Sequence, residues 1–335
     1  MATQAATPPA SAAQDRGYVV RHALAQLLFW SAFYYLLPAV LPHMLRDTGW
    51  SPVAVSAAVS AGFLVWAMLC PLAGSAVDRG WGPRGLRLAG VGGAALLLIA
   101  ALGQSLWAVA AALVLLGAPM AMSLYDPCFS LMIRRFGPAA RRPIVAVTLL
   151  AGFATLLTFP LVSGLAAAGL GWQWILVAFA GLALLGVLLL PPEPADTPAP
   201  EARQTPGAAA PGGRTLVFGL AFALLMFGHA ALLFQLPVQL AETRGLVNAL
   251  VLPMVLGPAQ IAGRLAWERM QGGLGLERAA LGLFTVMLLP PLVLLGGAGM
   301  GLVLLALVIQ GGCYGVHTIL RPLLAAHWLP QAGFA

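Results

Sequence analysis

Six residues could do chemistry inside an otherwise apolar chain: Tyr34, Tyr35, Asp126, His229, Arg264 and His317. Each falls within a long apolar block, where an ionisable side chain is costly and is by default a functional candidate. An arginine in a low-dielectric setting offers a fixed fork of donors that fits a carboxylate. A carboxyl in such surroundings is a proton carrier, which is the role open to Asp126. Together these types suit the binding of a small organic anion with a proton. Blander roles stand beside these. Asp126 can pair with Arg134 or with the loop around Asp78. Arg264 can extend to the interface along its aliphatic stem. His229 can bond a neighbouring helix, and His317 lies closer to the end of its block.

The elements that must hold these residues are transmembrane helices. Of the 335 residues, 61% are hydrophobic and 8% charged, and the mean hydropathy is +0.92. Blocks of about 20 apolar residues recur, the length a helix needs to cross the hydrocarbon core. Backbone groups cannot stay unpaired in lipid, so such blocks must be helical. Ten spans are predicted, at 23–45, 53–77, 88–102, 106–133, 144–168, 174–190, 216–240, 246–266, 279–295 and 302–320. The fold class is therefore an all-α polytopic membrane protein. All 17 basic residues are arginines. Only Arg46 and Arg244 fall on one side of the predicted membrane, and the rest fall on the other. This bias places the N-terminus, and with an even span count the C-terminus, in the cytoplasm. It also accounts for the net charge of +7 without a nucleic-acid partner, because the charges are spread over short loops. The absence of lysine beside abundant Ala, Gly and Pro suggests a GC-rich bacterial genome, and hence a bacterial inner membrane.

Residues 1–22 read as a polar N-terminal tail and 23–190 as a six-helix bundle. Residues 191–213, rich in proline and poor in large apolar side chains, read as a disordered cytoplasmic linker. Residues 214–335 then hold four spans. Cys70, Cys128 and Cys313 all lie in spans and show neither disulfide nor zinc spacing. There is no metal cluster, nucleophile elbow or phosphate loop, so no cofactor, no metal and no enzymatic activity is expected.

The most specific motif lies between the second and third spans: Gly74-Ser-Ala-Val-Asp78-Arg79-Gly80-Trp81-Gly82-Pro83-Arg84. It resembles the signature loop of the major facilitator superfamily, with one extra residue before its final arginine. Gly74 is expected to allow close helix packing, and Asp78 to pair with a basic side chain or a helix N-terminus. The Gly-rich segments 80–90 and 272–282 echo one another, as in the parallel repeats of that fold. Thr48-Gly49-Trp50-Ser51, Gly152 with Pro160-Leu161, Gly171-Trp172 and Gly263-Arg264 are similar to motifs of the monocarboxylate-porter-like branch. The resemblance implies a monomeric secondary transporter working by alternating access on a small molecule, with protons as coupling ion. It also implies that spans 1, 4, 7 and 10 line a central cavity. It implies a loop of Gly74, Asp78, Arg79, Gly82 and Arg84 that gates the cytoplasmic side. A six-plus-six plan would need two further spans, so the second half reads as incomplete, and the loop lacks the eleventh helix it is expected to meet. A drug effluxer and a truncated, non-transporting protein are the alternatives.

Overall fold

The computed structural model describes residues 12–192, 213–270, 275–295 and 299–328. The predicted linker lies almost wholly outside the described residues, as does part of the second Gly-rich segment. Among the described residues, nine helices are long and apolar enough to cross a membrane. One of these, Pro52–Leu102, is really two passes. It breaks at Gly80, whose φ of 86° lies in the left-handed region that only glycine adopts without strain. Both arms then pack on the same fourth helix. The ten passes are α1 (Gln14–Thr48), α2 (Pro52–Ala76), α3 (Gly82–Leu102), α4 (Leu106–Phe136), α5 (Arg141–Ala167), α6 (Trp172–Leu189), α7 (Gly213–Arg244), α8 (Val247–Met270), α9 (Leu276–Leu294) and α10 (Met300–Trp328).

Most ends agree with the predicted spans to within a few residues, but the first differs. α1 starts at Gln14, inside the segment read as a polar tail. Arg135 holds it there, bonding Asp15 at 3.0 Å and lying 4.3 Å above the Tyr18 ring. Three arginines at this end thus do more than set topology. Arg21 donates to the Leu189 carbonyl at 2.7 Å and Arg87 to the Pro191 carbonyl, satisfying the last turn of α6.

In the first half α6 lies between α1 and α3. The stacked rings of Phe29 and Phe33 on α1, 5.8 Å apart, fill the seam. They fit because Gly90 and Gly93 of α3 and Gly186 of α6 leave the space; a Cβ at any of the three would strike a ring. In the second half α8 and α10 approach still closer. A side chain at Gly263 would overlap the Gly312 carbonyl, and one at Gly315 the Gln260 carbonyl. The halves meet mainly at the arginine-poor end, where residues 36–48 of α1 face α7 and residues 154–167 of α5 face the start of α8.

Two local departures from regular helix matter for the site. Trp30–Tyr35 of α1 form a π-helical turn. Its i→i+5 bonding brings residues 34 and 35 together over residue 30, so one face carries Trp30, Tyr34 and Tyr35. In α4, Leu124 is extended (φ −84°, ψ −159°) and breaks the helix just before Tyr125. Pro127 has no N–H to give the Ser123 carbonyl. The Gln26 amide of α1 supplies that bond instead, at 2.7 Å. The break turns Tyr125 towards α1 and leaves Asp126 exposed.

Candidate functional site

Arg264 sits where α8 crosses both α5 and α10, and its residue is only 3% exposed. Nη1 donates to the Thr148 carbonyl of α5 at 2.7 Å and Nε to Thr318 Oγ1 of α10 at 3.3 Å. The guanidinium can reach α5 because Gly152 has no side chain: a Cβ there would stand 3.3 Å from Nη1. Further along the same seam, Gly257 of α8 packs on the Gly152 carbonyl of α5. Arg264 therefore does not extend to an interface; it joins the halves. Among the described residues no carboxylate forms an ion pair with it. A buried cation held only by neutral oxygens leaves an unmet demand for negative charge.

The other sequence candidates fall into two groups around this arginine. Tyr35 accepts from the Gln260 amide, one turn along α8 from Arg264, at 3.4 Å. Tyr34 stands edge-on to Phe234 of α7, their centroids 5.8 Å apart. On the second-half side, His229 Nδ1 accepts from the Gln310 amide of α10 at 3.0 Å, and its ring stacks on Tyr314 at 3.9 Å. His317 follows at 5.7 Å from Tyr314 and is 3% exposed, so it is buried rather than near the surface. Among the described residues, neither nitrogen of His317 has a hydrogen-bond partner, and nor has His229 Nε2. Buried polar atoms left unpaired in this way mark a place where a proton, water or ligand is accommodated. Asp126 does not join these groups. Its exposed carboxylate on α4 and Arg321 of α10 both lie within electrostatic reach of Cys70 on α2.

The gating loop also departs in detail from expectation. Nothing lies within 4 Å of a Cβ built on Gly74, so this glycine makes no close helix contact. The close contact belongs to Gly82, where a Cβ would stand 2.8 Å from the Leu131 side chain. Asp78, Arg79 and Arg84 are exposed, and none of them makes an ion pair among the described residues. The loop is instead pinned by Arg134, which donates to the Val77 carbonyl.

Sequence reasoning passed over Trp30, Gln26, Gln260 and Gln310. Pro127 in the Tyr125-Asp126-Pro127 triplet was the one available signal, because it forces the α4 break that Gln26 repairs. Trp30 and Tyr34 share a face in any helix by their i, i+4 spacing, but a regular helix would not add Tyr35 to that face.

Two helical halves joined across an arginine-bearing seam define a polytopic helical membrane protein. The sequence matches the model of the Major Facilitator Superfamily over residues 23–335, and the chain belongs to that family. No curated protein sequence matches. Among solved structures, the fold is similar to a point mutant of the nucleoside transporter NupG, with a TM-score of 0.68 and 14% identity, covering 94% of this chain and 84% of that one. It is similar to a D-xylose-proton symporter, with a TM-score of 0.65 and 15% identity over 95% and 88% of the two chains. A bacterial homologue of the human lysosomal transporter Spinster gives 0.61 at 13% identity, over 97% and 78%.

Proposed function

We propose that this protein is a proton-coupled secondary transporter of small organic anions, of which monocarboxylates are the simplest, in a bacterial inner membrane with both termini cytoplasmic. The single observation that carries this reading is Arg264, a buried cation without a carboxylate partner among the described residues, at the junction of the halves. An incoming carboxylate would take the guanidinium from the Thr148 carbonyl and the Thr318 hydroxyl, loosening the link between α5, α8 and α10. Substrate binding is thereby coupled to the seam about which the halves must rock. The proton goes to the His229–Tyr314–His317 row, where ring nitrogens stand without partners. Charge then balances. Binding an anion and a proton together leaves the carrier with the same net charge as when empty, so both forms reorient at similar electrostatic cost.

The test is uptake of labelled small carboxylates into proteoliposomes, with and without an imposed pH gradient. Gradient-driven uptake lost in Arg264→Gln supports the reading. Uptake of carboxylates by Arg264→Gln at the wild-type rate overturns it.

A further inference from the structure

The packing around Arg264 changes character from one side to the other. On α5, α8 and α10 the helices approach through glycines, the usual means of close contact in a membrane. On the α1, α2, α4 and α7 side the interface is built of aromatic rings. Trp30 lies 4.6 Å from Tyr125 of α4, 6.2 Å from Trp66 of α2 and 5.2 Å from Tyr34. Tyr125 stacks in turn on Phe129 at 4.9 Å. Trp30 is buried, whereas Trp66, Tyr125 and Phe129 keep part of their surface open. Tyr125 also borders the Arg264 guanidinium. It is thus the neighbour shared by the cation and the ring wall.

A second, independent observation points into the same place. The indole N–H of Trp30 is buried without an acceptor among the described residues. An indole at a packing contact ordinarily finds one. The π-helical turn that creates this face is itself a costly local feature, and such turns concentrate at functional sites. A short aliphatic acid would engage Arg264 and leave both the ring wall and the indole donor unused.

We infer that the anion carried by this protein bears a flat aromatic ring. Its carboxylate meets Arg264, and its ring lies against Trp30 and Tyr125. An oxygen on the ligand accepts from the Trp30 indole. This rests on the proposed role of Arg264 and narrows the substrate class from small carboxylates to aromatic carboxylates. The ring wall then acts as the specificity determinant.

The experiment is calorimetric titration of the purified full chain with benzoate and cyclohexanecarboxylate, which match in charge and approximate size but differ in aromaticity. Benzoate should bind about 3- to 10-fold more tightly, the gain expected of one or two ring contacts. Trp30→Leu should weaken both acids and erase the preference for benzoate, and Trp30→Phe should keep most of that preference. Should Trp30→Leu fail to fold, Tyr125→Leu replaces it with the same expected outcome. Equal affinities in wild type overturn the inference and leave the anion reading intact. A preference for benzoate that survives in both leucine variants also overturns it, because the ring is then read elsewhere. Binding of neither acid overturns the inference together with the role assigned to Arg264.

Discussion

In the first half α6 covers α1 and α3, whereas among the described residues of the second half no helix covers the corresponding faces of α7 and α9. A cleft of about 840 Å³ lies there, lined by Phe218 and Phe222 of α7, Ala280 and Phe284 of α9, and Leu324 of α10. Val217, Leu220, Leu224 and Phe227 of α7 are exposed beside it. The chemistry is distributed the other way. Arg264, His229, His317, Gln260 and Gln310 are all buried in the second half. The first half gives the site rings and one backbone carbonyl. The first half serves as the scaffold, and the second half carries the charge and the titratable groups. The glycine seam of α8 and α10 brings Arg264 within hydrogen-bond reach of the Thr148 carbonyl and the Thr318 hydroxyl.

That contrast can be broken at the seam. Gly263→Val should have the largest effect on stability, because the new side chain strikes the Gly312 backbone, which cannot turn aside. Overpacking of this kind costs about 1–3 kcal/mol, and the thermal transition of the purified protein should fall accordingly. Gly181→Val, on α6 where a Cβ meets nothing within 4 Å, is the matched first-half change and should shift the transition little. His317→Gln keeps a polar side chain but removes the titrating ring. Stimulation of uptake by an imposed pH gradient should fall about tenfold, with gradient-free exchange retained. Gln26→Ala removes the bond that replaces the one Pro127 cannot make. A buried carbonyl left unpaired costs about 1–3 kcal/mol, and denaturant titration would register the loss in the first half. Asp126→Asn should do least. The carboxylate is exposed and outside both polar groups, so uptake within about twofold of wild type is expected.

The broad plan was legible in the sequence because its physics is long-range and repetitive. Span length reflects bilayer thickness, and each of the ten apolar blocks is helical in the structure. Arg264, His229 and His317 stood out because ionisable groups are rare in such blocks. The gathering of the site was not legible. It depends on the π-helical turn of α1 and the break of α4 at Leu124, which rotate Trp30, Tyr35 and Tyr125 relative to a regular helix. Gly74 illustrates the same limit: its motif suggested close packing, but the contact falls at Gly82, beyond the bend at Gly80. The closest approaches, Gly263 on Gly312 and Gly257 on Gly152, join residues far apart in sequence, and no local pattern marks which of the many glycines would meet.

The most direct test of the central claim compares wild type, Arg264→Lys and Arg264→Gln in proteoliposomes loaded with a labelled small carboxylate, alongside their thermal transitions. A buried fork whose contacts set anion affinity predicts loss of about 100-fold in Arg264→Gln and partial activity in Arg264→Lys, with both variants folded. Folded Arg264→Gln that still moves the acid at the wild-type rate would contradict the account, because the buried cation would then be only a strut between the halves.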